Sequence, residues 1–261
     1  MANPNRTDYE GPPLSGPGLL WINSKVTDKA NLSTEAFTRW YEDIHIPDII
    51  AAKPGGVLAS WRYQCTNKDR PAPYLAVYKV PNMGFLQSPE FKAIPMTHPT
   101  LPDNGPIHKF AEFDARFLGH VETWKSKDAS DGRTNLLVSE AIEPADSASD
   151  NFHEWYRKDY ISEVAKLPGW QRTSLLKLVF KKENKDEANT TKKITPTWLA
   201  LHEFQQGSIP NHQSLTRLLG QSTSAKKMAE EAKKVDVAAF EMLRGFGTAD
   251  QRWADVDETV L

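Results

Sequence analysis

The chain has 261 residues, a formal net charge of −2 and 25% charged residues, the make-up of a soluble globular protein. That balance excludes a dedicated nucleic-acid or anionic-membrane surface, and the single cysteine, Cys65, excludes an intramolecular disulfide and a cysteine zinc site. No run reads as a signal peptide or a bilayer span, so the expectation is a cytoplasmic protein with no nucleic-acid or membrane partner.

Residues 1–17 are polar and rich in Pro and Gly and read as a flexible tail. GLLWINSKV (18–26) is a short apolar run of β-formers and predicts a strand. Ser33 or Thr34 can cap a following helix, in which Phe37, Trp40, Tyr41, Ile44, His45 and Asp48 fall on one face. Lys53-Pro-Gly-Gly56 makes a turn, and 57–65 and 74–80 alternate as a second and a third strand. Residues 88–94 begin a second helix with Pro89 in its first turn, and 110–119 alternate as a fourth strand. The order is βαββαβ, the ferredoxin-like split βαβ unit.

After the polar linker 126–134 the pattern recurs. FHEWYRKDYISEV (152–164) repeats the Phe, Trp and Tyr of FTRWYEDIHIPDII (37–50), with Tyr160 where the first copy has His45. PYLAVYKV (73–80) lies over TWLALHEF (197–204), so that Tyr74 meets Trp198 and Tyr78 meets His202. PGGVLASWRYQC (54–65) lies over PGWQRTSLLKLV (168–179). The matches keep their order, which predicts a tandem repeat of roughly 110 residues. The first ferredoxin-like repeat is assigned to 18–128 and the second to 133–247, with 248–261 as a C-terminal tail packing through Trp253. The charged insertion 181–193 reads as a solvated loop. A four-stranded sheet covered by helices on one face leaves the other face open. Two such sheets are therefore expected to close on each other as an α+β, intramolecular α/β barrel around a cavity.

The Phe-x-x-Trp-Tyr-x-x-x-His-x-Pro pattern of 37–47, after a strand and before a Pro-Gly turn, resembles the dimeric α/β-barrel superfamily, most of all its EthD-type members. The resemblance implies that His45 points toward a cavity. It also implies a range of chemistries: decarboxylases, dehydratases, polyketide cyclases, lactone isomerases, ring-cleaving monooxygenases and some haem proteins. Several fungal biosynthetic pathways use EthD-like proteins on aromatic or polyketide intermediates. The second copy departs from the pattern at Tyr160 and Ser162, which implies an altered site.

His45 is the side chain best poised for proton transfer near neutral pH, against the alternative of a satisfied core histidine. Asp48, three residues on, is placed to orient His45 or to bind substrate. On the third strand Tyr74, Ala76 and Tyr78 are assigned to the cavity and Leu75 and Val77 to the helices, so that Tyr78 donates to a carbonyl or enolate oxygen. His98 lies in the Pro-rich loop 94–108, long enough to act as a lid. Tyr41, Trp21, Trp61, Tyr63, Tyr74, Tyr160, Trp198 and His202 are expected to bind and shape the substrate. Trp61 and Tyr63 alternate with Ser60 and Arg62, and the pattern leaves open which pair looks inward. An inward Arg62 would favour a carboxylate or enolate. Glu112, Asp114 and Arg116 either line a wet cavity or face solvent.

No GxGxxG, P-loop, GxSxG or metal-ligand cluster occurs. The expectation is a cofactor-independent lyase, isomerase or cyclase. Its substrate would be a small, hydrophobic, oxygenated ring compound, and the protein would act as a fused-barrel monomer or a homodimer. The alternatives are a monooxygenase, a haem-dependent barrel with an axial histidine, and a non-catalytic small-molecule-binding or stress-response protein.

Overall fold

Ser33 accepts a hydrogen bond from Ala36 N at 3.1 Å and so caps α1 (Thr34–Trp40), as the sequence leads one to expect. Beyond Trp40 the chain departs from a regular helix. Tyr41–His45 forms a π-helical turn before α2 (Ile46–Ala51). A computed structural model of the chain describes residues 9, 11–130, 136–183, 194–205, 228, 230–249 and 256–261. Most of the charged insertion 181–193 and Trp253 lie outside those residues.

The wide turn matters because it adds about one residue to the repeat and rotates everything after it. The inward face was expected to run through Ile44, His45 and Asp48; it runs instead through His45, Ile46 and Ile49, all 4% exposed or less. Asp48 is exposed and lies off the face that carries His45. The second half is built alike, with α4 (Phe152–Trp155), a π turn Tyr156–Tyr160 and α5 (Ile161–Val164). Each helical segment runs into a Pro-Gly turn whose glycine, Gly55 or Gly169, has φ near 75°, a conformation only glycine adopts without strain. Helix α3 (Pro89–Ala93) starts behind a Ser88 cap.

Eight strands carry these helices: β1 (Gly18–Val26), β2 (Ala59–Cys65), β3 (Tyr74–Val80), β4 (Ala111–Lys125), β5 (Leu136–Glu143), β6 (Trp170–Glu183), β7 (Trp198–Phe204) and β8 (Lys234–Gly247). They are hydrogen-bonded in the order β1-β3-β2-β8-β5-β7-β6-β4, and β4 pairs back onto β1. All these ladders are antiparallel, so the chain is an α+β protein whose sheet closes into a barrel without an open edge. A short strand β9 (Thr259–Val260) adds in parallel to Trp124 and Lys125 of β4. Toward the N-terminus, Leu14 N donates to Gln87 Oε1 at 2.7 Å and Met83 N donates to Gly16 O at 2.8 Å, so the chain already lies on the barrel before β1.

Three apolar layers result from the alternation of the strands. Leu19, Trp21, Trp61, Tyr63, Leu75, Val77, Leu137, Leu199 and Phe240 fill the barrel interior. Tyr78, Ala76 and Leu20 pack beneath the first-half helices with Phe37, Trp40 and Tyr41. Tyr156, Tyr160, Phe152 and Trp198 form the corresponding layer of the second half. The two faces of β3 are therefore the reverse of the expected assignment. An eight-stranded barrel is just wide enough for side chains to fill, and here the aliphatic face of β3 does so. The space expected to hold a cavity between the sheets is occupied by this core.

Candidate active site

The polar residues with chemical potential lie between the π turns and the outer face of the barrel. In the first half Tyr41 is the hub. Its hydroxyl accepts from Tyr78 Oη at 3.3 Å. The His45 ring stands edge-on to it, with centroids 5.5 Å apart, and stacks on Trp40 at 4.7 Å. That stacking is an i, i+5 contact, which the π turn creates. The Arg62 guanidinium lies over the Tyr41 ring at 4.3 Å and 5.6 Å from the ring of half-buried Tyr74.

Arg62 is 0% exposed, and Nε, Nη1 and Nη2 make no hydrogen bond among the described residues. Ser60 Oγ, one pleat away on the same face of β2, is also buried without one. Glu42 Oε1 stands 3.6 Å from Arg62 Nε, too far for a hydrogen bond but near enough to balance charge. Arg244, reaching across from β8, holds Asp43 at 2.8 Å and approaches Glu42 at 3.6 Å. A buried guanidinium with all its donors unfilled is costly unless something supplies acceptors. Donors placed this way can offer hydrogen bonds to an anionic oxygen.

The equivalent place in the second half has a different content. Across the β6–β7 ladder His202 faces Thr173, as Tyr78 faces Ser60 in the first half. Trp170 Nε1 donates to Thr173 Oγ1 at 2.8 Å, and Thr173 Oγ1 is 2.9 Å from His202 Nδ1. Tryptophan can only donate, so the Thr173 O–H is left to donate a hydrogen bond to Nδ1. That tautomer puts the ring N–H on Nε2, facing Glu140 Oε2 at 3.4 Å. Tyr160 donates to Glu140 Oε1 at 2.8 Å. Burial, then the Glu140 charge, pushes the Tyr160 hydroxyl well above its ordinary value, and the same two causes act in the same order on Tyr156. Glu140 sits opposite Ala200 as Ile22 sits opposite Ala76, so the first half has an apolar residue where the second has a buried carboxylate. Reading the sequence missed Glu140. The signal was a glutamate in phase with Val138 and Ile142 in the otherwise apolar run LLVSEAIE.

His45, Tyr41, Tyr78, Arg62 and Tyr74 are thus brought together, and Tyr160, His202 and Trp198 share the layer of the second half. Trp21, Trp61 and Tyr63 are not part of either group. They point into the barrel, on the opposite face of the sheet from His45. Trp21 donates to Asn23 Oδ1 and Trp61 to the Ala249 carbonyl, both at 2.8 Å. His98 is half-buried in its loop, with Nδ1 2.8 Å from Thr100 Oγ1. That loop is anchored by Leu101, Ile107 and Phe110, which are buried in the first-half core. Glu112, Asp114 and Arg116 line a cleft of about 280 Å³ at one barrel mouth, where Lys25 pairs with Glu112, Arg116 with Asp114 and Arg70 with Asp236. Among the described residues no group of three or more His, Cys, Asp or Glu could hold a metal ion, and no helix is long and apolar enough to cross a membrane.

No family model matches the chain. It is 23% identical over 202 residues to core atranone cluster (CAC) protein 1 of Stachybotrys chlorohalonatus (strain IBT 40285), covering 73% of this chain and 82% of that protein. Among solved structures it resembles an anthrone oxidase-like protein, with a TM-score of 0.55, 14% identity and coverage of 92% of this chain and 97% of that one. It also resembles a structure described as a putative monooxygenase from Fusobacterium nucleatum subsp. nucleatum, with a TM-score of 0.53, 12% identity and coverage of 93% and 99%. The fold is therefore that of the α/β-barrel proteins to which these structures belong.

Proposed function

We propose that the chain is a cofactor-independent enzyme that moves a proton on an oxygenated ring substrate of secondary metabolism, acting as a lyase, isomerase or cyclase. The observation that carries this reading is Arg62, fully buried with no hydrogen bond to its guanidinium among the described residues, in the same layer as His45 and the Tyr41–Tyr78 pair. His45 takes a proton from carbon next to a carbonyl. The electron pair moves onto the carbonyl oxygen, and the resulting enolate is held by Arg62 and by Tyr78, whose hydroxyl turns to it from Tyr41. The enolate then expels a leaving group, closes a ring or is reprotonated elsewhere. Tyr41 and Tyr74 give the substrate ring aromatic walls. The relative named for an atranone cluster supports a biosynthetic setting.

A second reading shares the enolate but captures it with dioxygen. It is favoured by the anthrone oxidase-like and putative monooxygenase structures of the same fold. The two halves are read as copies of one ferredoxin-like unit that diverged at His45 and Tyr160, and the fused barrel as a monomer or a homodimer.

Anthrone in deuterated buffer tests the common step. Wild-type protein should speed deuterium uptake at the acidic carbon, and His45→Ala should slow that uptake by about a hundredfold. No acceleration over buffer with anthrone or with a cyclic 1,3-diketone would overturn the proton-transfer reading. Oxygen consumption that tracks exchange would select the second reading over the first.

A further inference from the structure

Among the buried polar atoms of the second half that make no hydrogen bond among the described residues, Glu140 Oε2, His202 Nε2 and Tyr156 Oη belong to one layer. Glu140 Oε2 and His202 Nε2 face each other across 3.4 Å. Tyr156 packs edge-on against Tyr160 at 5.2 Å, and the Tyr160 hydroxyl holds the other Glu140 oxygen. Glu140, His202 and Tyr156 are each 0% exposed. Buried polar atoms nearly always have hydrogen bonds, so three that lack one within one small cluster leave hydrogen-bonding capacity for a further group.

The chemistry of that partner is set by the atoms. It must donate to a carboxylate oxygen and accept from an imidazole N–H or a phenol. An ammonium group donates but cannot accept, and an anion would be repelled by Glu140. A neutral hydroxyl does both. The surrounding wall is aromatic: Trp155 stacks on Tyr160 at 5.2 Å, and Phe152 stacks on Trp198 at 5.0 Å. The geometry points to a second ligand site, between the π turn Tyr156–Tyr160 and strands β5 and β7, that takes the neutral hydroxyl of a phenol or enol. The two halves then carry sites of opposite polarity: donors around Arg62 in the first, an acceptor at Glu140 in the second.

Calorimetric titration of the full chain with 2-naphthol, and separately with 2-naphthoate, tests this. 2-Naphthol should bind saturably. Its affinity should fall about tenfold or more in Glu140→Gln, severalfold in Tyr156→Phe and not at all in Arg62→Gln. 2-Naphthoate should show the reverse dependence, losing affinity in Arg62→Gln alone. Tyr156→Phe removes a hydroxyl that has no hydrogen-bond partner among the described residues, so it remains informative if Glu140→Gln fails to fold; circular dichroism melts establish which variants are folded. Three results would overturn the proposal. One is no saturable 2-naphthol binding to wild type, which would leave these polar atoms to one another or to water. Another is binding indifferent to Tyr156→Phe and to a folded Glu140→Gln. The third is binding lost in Arg62→Gln. Failure of 2-naphthoate with 2-naphthol binding intact counts against the first-half reading alone.

Discussion

Arg62 has an acidic neighbour but no hydrogen-bond partner among the described residues. Glu42, at 3.6 Å, balances the guanidinium without satisfying its donors, and Glu42 is itself shared with Arg244. Removing that balance isolates a charge whose side chain is wholly buried. Glu42→Gln should therefore lower unfolding stability by about 1–3 kcal/mol, at the modest end for a buried pair because the contact is long. The same change should tighten 2-naphthoate binding, since one competing negative charge is gone. Urea unfolding with and without the ligand measures both. A variant that loses stability without gaining affinity would mean that Arg62 is structural only. The sequence named Arg62 but left its direction open, because a strand buried on both faces alternates without showing which face is which. Glu140 was invisible for a related reason: an acidic residue in a strand reads as a solvent-facing position unless the barrel is known to bury that face.

The π turn is the element that most changes how the sequence should be read. A period of 3.6 places Phe37, Trp40 and Tyr41 correctly and then fails, because one wide turn shifts the inward set from Ile44, His45 and Asp48 to His45, Ile46 and Ile49. His45 survives the shift; Asp48 does not. Nothing in residue type announces a π turn, whose cost is met by the packing it permits, here the stacking of His45 on Trp40. The register can be checked by paired substitutions. Ile49 is 1% exposed, so Ile49→Ala should cost about 2–4 kcal/mol in urea unfolding. Asp48→Ala, at an exposed position, should stay within about 0.5 kcal/mol and leave proton exchange unchanged. Similar losses from both would return Asp48 to the inward face.

At the scale of the whole molecule, the strands of the first half and the α+β barrel they help to close were legible from periodicity. The location of the candidate site was not, because the interior of the barrel is core and the layer that gathers His45, Tyr78 and Arg62 lies outside it. The halves are joined by the β2–β8 and β4–β6 ladders and by side chains that cross between them. One such crossing has a pH signature. Arg70, in the connection between β2 and β3, binds Asp236 of β8 through two hydrogen bonds of 3.1 and 2.8 Å. Burial alone would raise the Asp236 carboxyl, but the Arg70 hydrogen bond and charge, with Arg116 and Lys234 beyond, outweigh it and hold the group below the usual carboxylate range. A carboxylate depressed in the folded state stabilises the fold fully above its unfolded value, and that contribution is lost as pH falls through the folded one. The Asp236 side chain is 34% exposed, so solvent screening keeps the effect small. Asp236→Asn should cost about 0.5–1 kcal/mol at pH 7. The gap from wild type should close as pH drops below about 4. Urea midpoints measured from pH 7 to pH 3 supply the check. A gap that persists unchanged at pH 3 would show that Asp236 contributes through shape rather than charge, and that the two halves are held at this mouth by packing alone.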